Sequence, residues 1–298
     1  MKKAKPSIKS FYMIAFSLPK WVVSILNKPL LISKYSAEEI EQLKQKLSKF
    51  NVTDPLVSVV IPAWNEAEGI LHTLHSLANS TTQYKTELIV VDNNSTDGTP
   101  ALLQQLGIKT IIEKKQGVGN ARTCGLHAAK GKYILTGDSD TLYPSGWITA
   151  MVKTMINGNE EPVYCVHGTY SFLPSSNSPR WQYACYEMMS SYVIHKKEKT
   201  QPFLNTLGFN TGFVRQKGIE VNGYDIETQR TFRGQAGVLE TNATEDGMMA
   251  LRLQDAGGKN KVELSTDGRV WTSDRRIQMD GGLKNALLMR IKKHVLRK

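Results

Sequence analysis

The 298-residue sequence predicts an α/β fold, with a mostly parallel central sheet and helices on both faces. Short apolar, β-branched runs alternate with segments of helical periodicity between residues 56 and 136. The runs are apolar throughout, as expected for strands buried on both faces. Polar residues or glycines follow each run, and ligands bind at this end of parallel strands. Functional residues are therefore expected at the carboxyl ends of the strands.

The elements of the first half follow one another closely. A capping box formed by Ser36 and Glu39 predicts a helix start ahead of the sheet. The apolar runs predict strands at residues 56–61, 87–91, 109–112 and 132–136. Leucine and isoleucine spacing predicts helices within residues 70–77, 102–106 and 120–130.

The second half is less regular. Strands are predicted at residues 163–168, 262–264 and 270–272, with a helix beginning at Thr244. Residues 181–195 are aromatic and compatible with a helix, and we expect Trp181, Tyr183, Tyr186 and Tyr192 to pack in the core rather than stack on a ligand. The predicted divisions are an N-terminal arm and helix (1–50), a main domain (51–280) with halves 51–142 and 143–280, and a C-terminal amphipathic helix (281–298).

The positive charge lies at the two ends of the chain. The net charge is +11, but residues 1–34 hold seven lysines and residues 284–298 six basic residues, neither with an acid. The body between them is slightly acidic, which argues against a nucleic-acid binder. Basic, amphipathic ends fit an anionic membrane surface, and packing of both ends on the body is the alternative.

Targeting and redox signals are weak. The longest apolar region, residues 11–32, is interrupted by Lys and Pro, and it has no cleavage site typical of a signal peptide. It is therefore not predicted to span a membrane. The odd count of three cysteines predicts buried free thiols in a reducing compartment.

Two carboxylates at the end of the fourth strand form the first candidate site. Asp138 and Asp140 stand two residues apart, a spacing that lets both bind one divalent cation such as Mg²⁺ or Mn²⁺. A cation with few protein ligands keeps positions open for a diphosphate, whose charge it neutralises. The alternative is a solvated turn.

Two other motifs are excluded by their spacing. Residues 92–103 fail as a calcium loop because Asp97 occupies the position that requires Gly, and Leu103 the position that requires Glu. Residues 117–122 fail as a dinucleotide fingerprint because Arg122 replaces the third glycine and the motif follows the third strand. A carboxylate at the helix start near Asp246 is either a cap or a general base.

In their order along the chain, these motifs resemble the inverting family 2 glycosyltransferases, which have the nucleotide-diphosphosugar transferase (GT-A) fold. The matching segments are 57–66 (VSVVIPAWNE), 89–99 (IVVDNNSTDGT), 117–122 (GVGNAR), 135–140 (LTGDSD), 208–215 (GFNTGFVR) with 223–225, and 245–246 with 251–253 and Gly257. The resemblance covers about residues 56–275.

The resemblance implies a role for each matching residue. Donor-binding roles fall on Ala63, Trp64, Glu66, Asp92, Asn120, Arg122 and Asp138, and metal binding on Asp138 and Asp140. Asp246 is the implied base, and Asn210, Gly212 and Glu245 lie on the acceptor side. Residues 271–276 (WTSDRR) hold no His where many members have one. The Gln-x-x-Arg-Trp motif of the family's processive synthases is also missing.

The implied activity is transfer of a hexosyl or related sugar from a UDP- or GDP-linked donor to a glycan or lipid-linked acceptor. The resemblance also implies a cell-surface polysaccharide or glycolipid product. The basic, amphipathic ends predict a cytoplasmic protein that lies on the inner face of the cell membrane. A nucleotidyltransferase and a non-catalytic membrane-associated binding protein are the alternatives. The first would usually carry a basic Gly-rich loop after the first strand, and residues 63–66 (AWNE) are not one.

Overall fold

A central sheet with β1 between β2 and β4 organises the fold. The computed structural model describes residues 16–157, 161–175, 178–188, 203, 206–224, 245–279, 281–286 and 288. The strands are β1 Val57–Ala63, β2 Thr86–Asp92, β3 Lys109–Ile112, β4 Tyr133–Gly137, β5 Thr141–Leu142, β6 Val163–Phe172, β7 Asn210–Val214, β8 Lys259–Glu263 and β9 Arg269–Thr272. The helices are α1 Lys20–Leu26, α2 Ala37–Leu47, α3 Ile70–Ala78, α4 Thr99–Gln105, α5 Val118–Ala128, α6 Trp147–Ile156, α7 at residues 180–188, α8 Arg215–Glu220, α9 Glu245–Asp255 and α10 Arg275–Met279.

The sheet is mostly parallel, as predicted. Its order is β3-β2-β1-β4-β7-β6-β9-β5, and β8 pairs with β6. The pairs β1–β2, β1–β4 and β2–β3 are parallel, and so are β6–β8 and β6–β9. By contrast, β7 runs antiparallel between β4 and β6. The four strands predicted in the first half are confirmed, with ends shifted by one or two residues.

Alternate residues of the central strands pack against opposite layers of helices. Val59 of β1 and Val90 of β2 belong to a core that also contains residues of α2, α3, α4 and α6. Their neighbours Val60 and Ile89 belong to a second core with residues of α5 and α9. Helices therefore cover both faces, which explains why the strands are apolar at successive positions.

The described part of the N-terminal arm packs on the body with one side only. Val22 and Ile25 of α1 are buried against Leu142 and Trp271. The capping box is confirmed, because the Glu39 N–H donates to Ser36 Oγ at 3.2 Å and the Ser36 N–H to Glu39 Oε2 at 2.8 Å. Within the described residues, no helix is both long and apolar enough to cross a bilayer.

Several elements of the second half differ from the sequence prediction. Neither α6 nor β7 was expected, and β6 extends to Phe172 because β9 pairs with its second half. Tyr183 and Tyr186 are buried as expected, whereas Trp181 is exposed. The prediction of buried thiols is wrong for Cys185, which is exposed, while Cys165 is buried and Cys124 half-buried. Thr244, Asp225, Tyr192, residues 1–15 and most of the predicted C-terminal helix lie outside the described residues.

Candidate active site

The loops after β1 and β2 form one wall at the carboxyl edge of the sheet. The Asn65 N–H donates to Ser95 Oγ at 2.9 Å, and the Thr96 N–H donates to Asn65 Oδ1 at 2.8 Å. Asn65 and Asn94 have φ angles of 53° and 63°, a left-handed conformation that asparagine tolerates. These contacts hold the two loops together, and Trp64 on this wall is half exposed.

Three further predicted donor-binding residues line or support this wall. Ala63 pairs in register with Asp92, and the Ala63 carbonyl accepts from the Asn93 N–H at 2.8 Å. Asp92 is buried and accepts from the Ser95 N–H at 3.3 Å. Asn120 donates to the Gln116 carbonyl at 2.9 Å, in the loop before α5. The structure thus places them beside the same sheet edge, and their donor contacts remain predictions.

Arg122 joins two carboxylates that are far apart in the sequence. Its Nη2 lies 2.8 Å from Asp138 Oδ1, and its Nη1 lies 2.9 Å from Asp246 Oδ1. Only 3% of Arg122 is exposed, and the guanidinium lies 5.8 Å from the centre of the Tyr224 ring. A buried guanidinium with two carboxylate partners keeps a fixed orientation, so Arg122 fixes the spacing between Asp138 and Asp246.

The second oxygen of Asp246 is held by the backbone. The Gly208 N–H donates to Asp246 Oδ2 at 2.8 Å. A Cβ added to Gly208 would lie 2.2 Å from Arg122 Cζ, so a glycine is needed for the guanidinium to approach this backbone. Gly208, which the sequence motif contained without an assigned role, therefore helps to position the candidate base.

The Asp138 carboxyl lies close to a like charge. Burial raises the pKa of Asp138, Arg122 opposes this rise, and the neighbouring Asp140 carboxylate adds to it. The Asp138 N–H donates to Tyr143 Oη at 2.9 Å. The preceding position requires a glycine, Gly137, because a Cβ there would lie 2.1 Å from the same Tyr143 oxygen. Tyr143 thus fixes the turn that presents both aspartates.

Arg275 connects the loop after β1 to Asp140, a contact that the sequence analysis did not predict. Its Nη2 lies 2.6 Å from Glu66 Oε1 and 2.8 Å from Asp140 Oδ2. Burial raises the pKa of the Glu66 carboxyl, and Arg275 opposes that rise. The only sequence signal was the pair of arginines directly after a strand, in the segment that lacks the family's His.

The three predicted acceptor-side residues occupy different environments. Asn210 is buried; it accepts from Trp147 Nε1 at 2.8 Å and donates to the carbonyls of Thr169 and Gly268. Gly212 lies in β7, where a Cβ would be 2.5 Å from Leu135 Cδ2. Glu245 begins α9, next to Asp246. Asn210 and Gly212 thus hold the sheet together, and the acceptor roles of all three remain predictions.

Comparison with known proteins gives a match to one family and relatives that align over part of their length. The model of the family described as glycosyl transferase family 2 matches residues 58–218. The chain is 34% identical to glycosyltransferase AglE of Haloferax volcanii over 39% of this chain and 43% of that protein. It is 35% identical to the UDP-Glc:alpha-D-GlcNAc-diphosphoundecaprenol beta-1,3-glucosyltransferase WfaP of Escherichia coli, over 39% of this chain and 46% of that protein. The match thus spans less than half the length of these relatives.

Solved structures share the fold at low sequence identity. The mannosyltransferase PcManGT of Pyrobaculum calidifontis, solved with GDP-Man and Mn²⁺, has a TM-score of 0.52 and 18% identity, over 95% of this chain and 76% of that one. Residues 1–349 of TarS from S. aureus give a TM-score of 0.53 and 16% identity, over 73% and 60% of the two chains. These likenesses confirm the predicted GT-A fold.

Proposed function

The chain belongs to glycosyl transferase family 2, and from this premise we propose that it moves a sugar from a nucleotide-diphosphosugar to an acceptor hydroxyl with inversion. The observation that carries the proposal is the bridge from Asp138 through Arg122 to Asp246. It sets a donor-side carboxylate and a candidate base at one edge of the sheet, and an in-line displacement requires a group on each side of the reacting carbon.

Asp246 is the proposed general base. The acceptor oxygen attacks the anomeric carbon, its proton passes to the Asp246 carboxylate, and the bond from that carbon to the phosphate oxygen breaks. The nucleoside diphosphate leaves with the bonding electron pair. Hydrogen bonds from Arg122 and from the Gly208 N–H fix the plane of the Asp246 carboxylate, so it is oriented before the acceptor arrives.

The donor set of Asp138 and Asp140 fits a hard divalent cation. In the part of the chain described, their hydrogen bonds fall on Asp138 Oδ1 and Asp140 Oδ2, which leaves one oxygen of each carboxylate for a ligand. No closed cluster of three or more His, Cys, Asp or Glu occurs among those residues. Such an open shell suits Mg²⁺ or Mn²⁺ shared with a diphosphate, where the cation supplies positive charge against the leaving group.

The proposed donor is a UDP- or GDP-linked hexose, and the proposed acceptor a glycan or a lipid-linked sugar in cell-surface polysaccharide or glycolipid synthesis. WfaP is named for a UDP-Glc donor and an α-D-GlcNAc-diphosphoundecaprenol acceptor, and this supports the class. The donor-side wall with Trp64 and Asp92 is the proposed binding surface for the base.

The experiment that tests the activity measures the phosphate product. The protein is incubated with UDP-Glc, UDP-GlcNAc or GDP-Man, Mn²⁺ and a GlcNAc-diphospholipid acceptor. We expect release of UDP or GDP together with a lengthened lipid-linked sugar. Release of pyrophosphate from a nucleoside triphosphate and a sugar phosphate would instead favour the nucleotidyltransferase alternative. Nucleotide binding without turnover would favour a non-catalytic binding protein.

We also propose that the protein works at the cytoplasmic face of an anionic membrane. The described part of the arm exposes four apolar side chains, Phe16, Val23, Leu30 and Leu31, in the same segment as Lys20, Lys28 and Lys34. Apolar side chains flanked by lysines are typical of segments that lie in the membrane interface. Each lysine near an anionic surface contributes about 1 kcal/mol, less at high salt.

Vesicle flotation tests this location. The full-length protein should float with anionic vesicles, less at high salt, and not with neutral ones. Replacing Lys20, Lys28 and Lys34 by Gln should reduce flotation, whereas the same change at Lys153, Lys217 and Lys259 on the body should not. A protein that does not float with anionic vesicles at low salt would refute the membrane location and leave the transferase proposal intact.

A further inference from the structure

Arg275 is the counter-ion of two carboxylates at the proposed donor site. It begins α10, three residues after the last residue of β9, and its partners Glu66 and Asp140 are 209 and 135 residues away in the sequence. Its Nη2 lies 2.6 Å from Glu66 Oε1, and its Nε lies 3.0 Å from Asp140 Oδ2. The guanidinium thus ties the loop after β1 to the turn after β4.

One oxygen of Asp140 is saturated with hydrogen bonds. Asp140 Oδ2 accepts from the Ser273 hydroxyl and from both Nε and Nη2 of Arg275. Asp138 has a parallel arrangement, since its Oδ1 accepts from Arg122. The difference between the two arginines is exposure: Arg122 is buried, whereas 55% of the Arg275 side chain is exposed. Because it is exposed, Arg275 can exchange a partner for a ligand from solvent, whereas the buried Arg122 cannot.

A divalent cation at Asp138 and Asp140 would sit beside the positive charge of Arg275. Like charges a few ångströms apart repel, and the repulsion is stronger at a partly buried site than in water. A nucleoside diphosphate changes this balance, because a guanidinium forms charge-assisted bidentate hydrogen bonds with phosphate. The freed Arg275 then has an anionic partner next to the cation.

Building on the transferase function and metal site proposed above, we propose that Arg275 makes metal binding depend on the donor diphosphate. Without nucleotide, Arg275 neutralises Asp140 and Glu66 and weakens divalent-cation binding. With nucleotide, the guanidinium transfers from Asp140 to the diphosphate, and the cation binds the released carboxylate. Arg275 is thus a positioning residue for the metal and a contact residue for the donor.

Mn²⁺ titration of the full-length protein, followed by electron paramagnetic resonance of the free ion, tests this coupling. Titrations are run without nucleotide, with UDP and with GDP. Wild type should bind Mn²⁺ weakly alone and more tightly with the matching diphosphate. Arg275→Gln should bind Mn²⁺ alone about tenfold or more tightly than wild type, because a neighbouring positive charge is gone. The gain in Mn²⁺ affinity on adding the diphosphate should shrink.

Two further variants separate the proposed role from a general loss of charge or of fold. Lys259→Gln removes an equally exposed surface cation, 3.2 Å from Glu161, and should behave as wild type. Arg275→Lys keeps the charge without the planar fork, and its Mn²⁺ affinity alone should rise less than that of Arg275→Gln. Circular dichroism checks that Arg275→Gln and Arg275→Lys are folded. If one of them is not, the Mn²⁺ affinity of the other still tests the coupling.

Unchanged Mn²⁺ affinity in Arg275→Gln, with an unchanged gain from the diphosphate, would overturn the coupling. Wild type that binds no Mn²⁺ with or without UDP or GDP would also overturn it. Neither negative result contradicts the proposed transferase activity, which is measured separately as UDP or GDP release in the presence of acceptor.

Discussion

Arg122 and Asp246, 124 residues apart in the chain, form a buried ion pair with 2.9 Å between Nη1 and Oδ1. Arg122 belongs to α5, in the half of the domain predicted to bind the nucleotide, and Asp246 belongs to α9, in the half predicted to bind the acceptor. The position of the candidate base thus depends on a residue that also holds Asp138. A change at Arg122 is therefore expected to affect both carboxylates.

Arg122→Met should lower the free energy of unfolding by about 3–5 kcal/mol, because it leaves Asp138 and Asp246 as buried carboxylates without their cation. Urea denaturation followed by circular dichroism measures this. Lys217→Met is the control, since Lys217 pairs with Glu220 at the surface and its replacement should change the stability little. Equal losses in the two variants would show that the Arg122 bridge does not hold the site.

Asp246→Asn should lower the turnover rate by ~10²–10⁴, the usual contribution of a general base, and leave donor affinity nearly unchanged. The amide oxygen can accept from the Gly208 N–H or from Arg122 but not from both, so circular dichroism checks that the variant is folded. Single-turnover rates and calorimetric donor titrations provide the two measurements. Glu245→Gln, one residue earlier on α9, should lose less than about tenfold in rate. A collapse of donor affinity in Asp246→Asn would assign Asp246 to the nucleotide site instead.

Asp140→Ala should abolish Mn²⁺-dependent donor binding, because it removes one of the two proposed metal ligands. Circular dichroism checks that the variant is folded, since Asp140 also accepts hydrogen bonds from Ser273 and Arg275. Titration of UDP and GDP with Mn²⁺ and with EDTA checks the loss. Asp54→Ala removes an exposed carboxylate elsewhere and should leave donor binding unchanged. Full activity of wild type in EDTA, or turnover like that of wild type in Asp140→Ala, would contradict the metal site.

Glu87→Gln should destabilise the protein at pH 7 by about 1–3 kcal/mol, because Glu87 is a buried carboxylate that accepts from Ser58, Lys109 and the Lys130 N–H. Although burial opposes them, these three hydrogen bonds lower the pKa of Glu87 below its ordinary value of 4.5. A lowered pKa means that its stabilisation is complete above pH 4.5 and is lost as the pH falls through the folded-state pKa.

The difference in unfolding free energy between wild type and Glu87→Gln should therefore shrink as the pH falls below 4.5. Urea denaturation at pH 7 and at low pH gives both values. Glu41→Gln is the matched control, because Glu41 is exposed and its ion pair with Lys44 is long at 3.8 Å. It should not change the unfolding free energy at either pH. A difference that stays constant with pH would show that the charge of Glu87 is not what stabilises the fold.

The parts of the fold predicted from sequence are those that local patterns determine. β1 and β2 are uninterrupted apolar runs because both sheet faces are covered, and their polar ends mark the functional edge. By contrast, β7 (residues 210–214) has a polar start and a central Gly212, and it is a strand because β4 and β6 both pair with it. Tertiary pairing overrides local propensity at such a position.

In the candidate site, too, some residues were predicted from local motifs and others were found only in the folded structure. Asp138, Asp140 and Asp246 were predicted because motif order places them at strand and helix ends. Arg275 was not, because a cation acquires this role only through carboxylates 135 and 209 residues away. The position of Arg122 was predicted on the donor side, but its second partner, Asp246, depends on how α9 packs. Long-range ion pairs leave no periodic signal in a sequence.

The place of β7 between β4 and β6 has a consequence for synthesis on the ribosome. The chain emerges from its N-terminus, so β1 to β4 are complete well before residues 210–214 are made. At about 5–20 residues per second, β4 waits roughly 4–15 s for its neighbour. During that interval its apolar edge has open N–H and C=O groups, which can pair with another nascent chain. The newly made protein is thus most exposed to aggregation in this interval, and chaperone binding there would raise its yield.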